Sequence, residues 1–257
     1  VIFMRLSDAD GASAPSVTTV LATPRTQPGG VLCGEVRLKG GDAGVAIDQI
    51  CLGLVTSPYA AHEADGHRTN EELSQAQVSG PAVLRPGEEK VITFQAAIPW
   101  RTPISEIGGR HLPGMALGVR TEVAIATIVG RSDLELVAVK PAPSQSRVLQ
   151  AFARLGFPFK SAVLQPSRGE DPPHGPPPFL QKIAFYCPGH HAGVVHEVDV
   201  TFVPSSSDLV VELQADQPPG RPTHIGRFRM SHEEALRTDW PSEIDRWLMT
   251  RPGRAGR

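Results

Sequence analysis

CPGHHAG, residues 187–193, places a thiol and two imidazoles within five positions, at Cys187, His190 and His191. Those groups suit zinc, and His174 and His196 lie nearby in the chain. A structural zinc site needs four convergent ligands, however, and no second Cys/His pair follows at the usual spacing. The expectation is an exposed turn between strands, with no metal held. His62, Glu63, Asp65 and His67 offer a second set of donors, but they sit in a polar stretch, 62–73, that reads as a long solvated loop. Ser205-Ser206-Ser207 reads as a turn, because there is no G-x-S-x-G elbow to activate a serine. H-E-x-x-H, a P-loop and a dinucleotide fingerprint are equally missing from the sequence. Glu88/Glu89 and Glu233/Glu234 fall at turns and read as solvated carboxylates. Cys33 and Cys51 fall within strands, where small buried cysteines are ordinary and unreactive. Arg227 and Arg229 alternate with Phe228 and Met230, which makes a basic strand face, either solvated or able to dock an acidic partner. No residue is assigned a catalytic, cofactor-binding or metal-binding role.

The elements that would position these residues are strands. VLCGEVRLK (31–39) puts Leu32, Val36 and Leu38 on one face and Glu35, Arg37 and Lys39 on the other. GVAIDQICLGLVT (44–56) and MALGVRTEVAIATI (115–128) continue the alternation, the latter through Leu117, Val119, Thr121, Val123 and Ile125. LRPGEEKVITFQAAIPWRTP (84–103) is a turn followed by a half-buried strand with Ile92, Phe94, Ala96 and Ile98 on one side. Pro86 presets one turn position and Gly87 supplies a positive φ at the next. FLQKIAFYC (179–187), HEVDVTFVP (196–204), SDLVVELQAD (207–216) and HIGRFRM (224–230) repeat the rhythm in the second half.

Two stretches change period. SRVLQAFARLGF (146–157) spaces Val148, Leu149, Phe152 and Leu155 as one helical stripe, after the proline-rich link KPAPSQ (140–145). It reads as a connector helix. TDWPSEIDRWLMTR (238–251) reads as a terminal helix with Trp240, Ile244, Trp247 and Leu248 on its apolar stripe. PSRGEDPPHGPPP (166–178) reads as an exposed polyproline-like loop. The reading is all-β: two antiparallel β-sandwich domains, 1–143 and 144–257, with a connector helix, a C-terminal helix and little other helix.

Composition narrows the partners. The net charge is −2, so no global field draws the chain to nucleic acid or anionic lipid. Glycine and proline, 25 residues each and spread along the chain, suit many turns between short elements. No apolar run is long enough to span a bilayer, and VIFMRLSDADGASA is too short in its hydrophobic stretch for a secretory signal. Three cysteines without a C-x-x-C pair suit reduced thiols in a cytoplasm.

VLCGEVRLKGGDAGVAIDQICLGLVT, LRPGEEKVITFQAAIPWRTPISEIGGRHLPGMALGVRTEVAIA and RVLQAFARLGFPFKSA, with FLQKIAFY and TDWPSEIDRWL, resemble the bacterial sporulation-control protein family of stage-zero M-type regulators. The resemblance runs from about Val17 to Leu248. It implies an arrestin-like pair of sandwiches and a cytoplasmic regulator of sporulation or morphological development without catalytic activity. Protein partners, engaged through sheet edges and loops, would carry the function, and a homodimer through sheet edges is a further expectation. The alternative is small-molecule binding or enzymatic chemistry in a cleft between the sandwiches, and a third reading is scaffolding at a membrane surface.

Overall fold

Period-two alternation turns into strands along most of the chain. The computed structural model describes residues 4–5, 15–58, 71–125, 128–131, 134–166, 179–189, 195–216 and 224–250. Strands β1 (Met4–Arg5), β2 (Ser16–Leu21), β3 (Arg25–Thr26), β4 (Val31–Lys39), β5 (Val45–Ile47), β6 (Gln49–Pro58), β7 (Glu71–Ser79), β8 (Ala82–Leu84) and β9 (Glu89–Ala97) come first. The hairpin of β10 (Glu106–Ile107) and β11 (Arg110–His111) precedes β12 (Met115–Ile125), β13 (Ile128–Arg131), β14 (Glu135–Leu136) and β15 (Ala138–Val139). Helix α1 (Pro143–Arg154) leads into β16 (Phe159–Pro166), β17 (Phe179–Tyr186), β18 (Glu197–Pro204), β19 (Asp208–Asp216) and β20 (His224–Ser231). Helices α2 (His232–Arg237) and α3 (Trp240–Met249) close the described chain.

The chain divides into two units. Among the described residues, the first holds those up to 58 together with 71–99 and 116–139. Here β1-β2-β4-β9 form one antiparallel sheet, and β13-β12-β6-β7, with β14 beside β12, form another. Their inward residues share one core: Leu32, Val36, Leu38 and Phe94 from the first sheet, and Ile50, Leu52, Leu54, Leu117, Val119 and Val123 from the second. The hydroxyls of Thr19 and Thr121 bond to each other between the sheets, which satisfies two buried polar groups at once. This unit is a β-sandwich. The run read as one strand over 44–56 is two, because Asp48 leaves the ladder and its N–H donates to Ala124 O at 2.8 Å.

The turn of 85–88 forms as its residues require. Gly87 has φ 67° and the Glu88 N–H donates to Arg85 O at 3.1 Å. The Glu88 carboxylate in turn accepts the Arg85 N–H at 2.7 Å. Gly40 abuts this turn so closely that a β-carbon there would lie 2.1 Å from Arg85 O. LRPGEEKVITFQAAIPWRTP is therefore mostly scaffold: a turn, then an edge strand of the first sheet.

The second unit takes 100–115 as well as the described residues from 140 onward. The expected boundary at 143/144 is thus close to one chain crossing, but 100–115 leaves the first half altogether. The reason is apolar burial: Ile104, Leu112 and Met115 belong to the second core. The Gln181 amide fixes this segment, accepting the Ile104 N–H at 2.9 Å and donating to Ile104 O at 2.7 Å.

That core lies on one face of a five-stranded antiparallel meander, β16-β17-β18-β19-β20. Ile183, Phe185, Val198, Val200, Leu209, Val211, Leu213 and Ala215 form the sheet side of the core cluster. Helices form the other side. Val148, Leu149 and Phe152 of α1 join it, with Phe152 stacked on Phe185 at 4.8 Å, so the expected connector helix is a core element of this unit. It also begins at Pro143, earlier than 146, because proline is tolerated in a first turn and Gln145 Oε1 accepts the Ala142 N–H at 2.8 Å. Gly156, φ 79°, ends it as expected, and the Phe157 N–H donates back to Phe152 O.

Three further differences stand out. Residues 71–73, expected in a loop, open β7; 62–70 lie outside the described residues. β16 was not anticipated. Neither was α2, which Ser231 and Glu234 start with a capping box. The second unit is accordingly richer in helix than expected.

Candidate functional site

Cys187 lies just beyond β17, half-buried, with its N–H donating to His196 O at 3.0 Å. Burial pushes its thiol above the ordinary range. His190, His191, His174, His62, Glu63, Asp65, His67 and the loop 167–178 lie outside the described residues. Among the described residues, no three or more His, Cys, Asp or Glu side chains gather in a metal-holding group. Cys51 is buried as expected, and its thiol is also pushed up, first by burial and then by Glu122 and Glu72. Cys33 corrects the expectation. It is exposed, because it falls in the outward phase of β4 opposite to Leu32. It lines an open concavity of about 600 Å³ on the first sheet with Val20, Ala22, Glu35, Thr93 and Gln95.

The serine tripeptide is a turn. Ser205 Oγ accepts from the Asp208 N–H at 3.0 Å and bonds the Asp208 carboxylate. Glu88 caps its own turn, Glu89 pairs with Lys39 at 3.3 Å, and Glu233 with Arg237 at 2.5 Å. Glu234 bonds both the Ser231 N–H and hydroxyl, which holds its carboxyl below the ordinary range. These carboxylates build a turn, a helix cap and two exposed ion pairs.

Arg227 and Arg229 stand on the outward face of the five-stranded sheet, where register decides their neighbours. Arg227 lies opposite Glu212, and Arg229 opposite Val210 one row away from Asp208. Arg229 Nε and Nη2 both reach Asp208 Oδ2, at 2.9 and 2.7 Å, and Arg227 Nε lies 3.3 Å from Glu212. Ser205 and then Arg229 hold the Asp208 carboxyl below its ordinary range. Lys182–Asp199 at 2.6 Å and Lys160–Glu197 continue the same charged face on β16, β17 and β18. Asp199 differs from the others. It is almost wholly buried, and burial raises its carboxyl despite Lys182. The remaining pairs are exposed and add little stability.

The inward face of β20 holds α3. Trp240 and Trp247 are both buried, so the expected aromatic stripe is core and not a free docking surface. The Trp247 ring stacks on His224 at 4.9 Å with planes 10° apart, and His224 Nε2 donates to Trp247 O at 2.8 Å. Gly226 makes room for that ring.

One junction escaped sequence reasoning. His232, the first residue of α2, stacks on Trp100 at 4.8 Å. Its Nε2–H donates to Ser205 O at 2.8 Å, so in the neutral ring Nδ1 accepts from the Ser144 hydroxyl, also at 2.8 Å. Ser144 is 2% exposed, which closes this serine–histidine pair to substrates and makes it a clamp between α1, α2 and the β18–β19 turn. The partners are 88 and 27 residues from His232, and no local signal could have joined them.

Comparison with known proteins gives three findings. The profile of the family described as SpoOM protein matches residues 3–219. The sporulation-control protein Spo0M of Bacillus subtilis (strain 168) is 26% identical over 218 residues, 84% of this chain and 80% of that protein. A crystal structure of Spo0M, sporulation control protein, from Bacillus subtilis has a TM-score of 0.77 at 23% identity, covering 92% of this chain and 98% of that one.

Proposed function

This chain belongs to the SpoOM protein family, and from that premise we propose that it is a cytoplasmic regulator of sporulation that works as a non-enzymatic, arrestin-like protein-binding adaptor. The relative's name as a sporulation-control protein supports the developmental role. The observation that carries the adaptor reading is the set of sheet edges. In the first unit β9 and β7 end their sheets, and in the second β16 and β20 do so. An edge strand presents unpaired backbone donors and acceptors, and an extended segment of a partner can pair with them. The polar residues in reach of chemistry serve turns, caps and clamps instead, as with Ser205, Glu234 and Ser144.

Deletion of the gene in its sporulating host tests the developmental half, with spore counts as the readout. Capture with the full chain from that host as it develops tests the adaptor half. The expected result is an altered spore count and reproducible protein partners. Unaltered sporulation overturns the first half, and a folded bait that retains nothing above control overturns the second.

A further inference from the structure

The two edges of the second sheet are not equivalent. β16 is blunted: its register with β17 slips between Phe159 and Ser161, and it ends at Pro166, which has no N–H to give a ladder. β20 carries neither device. It pairs with β19 from His224 to Ser231 without a slip and contains no proline. Among the described residues, β19 is its only strand neighbour. Ile225, Arg227 and Arg229 are all exposed along its outward face.

The side chains of β20 state what would fit. Outward residues are Ile225, Arg227 and Arg229; inward ones are Gly226, Phe228 and Met230, of which Phe228 and Met230 pack partly against the core. The strand already bound on its paired side answers that pattern. β19 offers Asp208 and Glu212 to the arginines on the outward face, and Leu209, Val211 and Leu213 on the inward face. Each guanidinium has five N–H donors, and those pairs use only some of them. A second copy of this strand is the wrong occupant. An antiparallel pairing centred on Arg227 or Phe228 sets Arg227 opposite itself or opposite Arg229, and like charges directly opposite destabilise a sheet.

We propose that the open edge of β20 is a docking site for an extended peptide in which Asp or Glu alternates with apolar residues, added antiparallel as a sixth strand. The carboxylates meet Arg227 and Arg229 on the outward face, and the apolar residues extend the inward face beside Phe228 and Met230, which Trp240 and Thr238 already contact. The proposal rests on the adaptor reading and gives it an address and a ligand chemistry.

The test uses the full chain and fluorescently labelled synthetic nonapeptides: alternating Glu/Val, alternating Lys/Val, and a Glu/Val peptide with proline at its centre. The alternating Glu/Val peptide is expected to bind and to slow amide exchange in β20, while the other two do not. Arg227→Gln/Arg229→Gln, which keeps hydrogen-bonding capacity and is checked for folding by circular dichroism, is expected to weaken binding roughly tenfold. Arg227→Glu/Arg229→Glu is expected to bind the Lys/Val peptide instead. Equal binding of the Glu/Val peptide to wild type and the Gln variant overturns the proposal, as does protection confined to another edge. A concentration-dependent dimer that the Gln variant abolishes overturns it in favour of a second copy. Partners captured equally by wild type and the Gln variant would remove this edge and leave the adaptor reading intact.

Discussion

Gly226→Ala adds one methyl group at the place where α3 meets β20. Its β-carbon would lie 2.5 Å from Trp247 Nε1, 2.7 Å from Cδ1 and 3.0 Å from Cε2. All are atoms of a rigid ring that is 7% exposed and already stacked on His224, so the ring cannot tilt without leaving its neighbour. Overpacking of this kind costs about 1–3 kcal/mol, and loss of a buried tryptophan, at about 3–5 kcal/mol, is the ceiling. Alanine is the better strand residue by about 0.5–1 kcal/mol, which offsets part of that cost. A net loss of about 1–2 kcal/mol is expected, or about 3–8 °C in Tm for a unit of this size. Urea unfolding followed by tryptophan fluorescence measures it. The decisive comparison is the double-mutant cycle: in a Trp247→Ala background the same glycine change should be neutral or stabilising, a coupling of about 1 kcal/mol or more. If Gly226→Ala costs as much without the indole as with it, the close approach of the ring is not the cause of the loss.

Gln181→Leu should cost about 2–4 kcal/mol, because it strands both the N–H and the C=O of Ile104, whose residue is 1% exposed; denaturant titration showing less than about 1 kcal/mol would refute that role. Asp199 gives a pH signature. Burial raises its carboxyl in the folded state, so folding is favoured by that group below the ordinary aspartate range and loses the benefit as pH rises through the folded value. Asp199→Asn should therefore stabilise the protein at neutral pH, with the gain shrinking toward pH about 3. A variant whose stability relative to wild type improves as the pH falls would show that the Lys182 pair outweighs the burial.

Strand faces were legible because one side of each sheet meets a core: Leu32, Val36 and Leu38 turn inward as their spacing requires. The same phase already placed Cys33 outward, and only the general habit of cysteines pointed the other way. β16 stayed hidden because its bulge breaks the period: Phe159 and Ala162, three residues apart, face the core side together through Phe185 and Ile183. α2 is too short to show a stripe, and its one signal was the capping sequence Ser231-His232-Glu233-Glu234. The start of α1 is hidden because KPAPSQ has the composition of a link, although its Pro143 opens the helix. The candidate edge was half legible. The alternation of Arg227 and Arg229 with Phe228 and Met230 was plain, but which flank of β20 is free depends on the strand order of the whole meander.

The passage of 100–115 into the second unit has a consequence for how the chain is made. During synthesis Ile104, Leu112 and Met115 emerge well before the rest of the core they join, the last member of which, Leu248, lies near the end of α3. At roughly 5–20 residues per second that interval is on the order of ten seconds. Throughout it the nascent first unit carries an apolar segment with no mate, a target for a chaperone at the ribosome exit. For the same reason no single cut yields two self-sufficient fragments. A piece ending at 143 keeps the orphaned segment, and the remainder lacks three side chains of its own core.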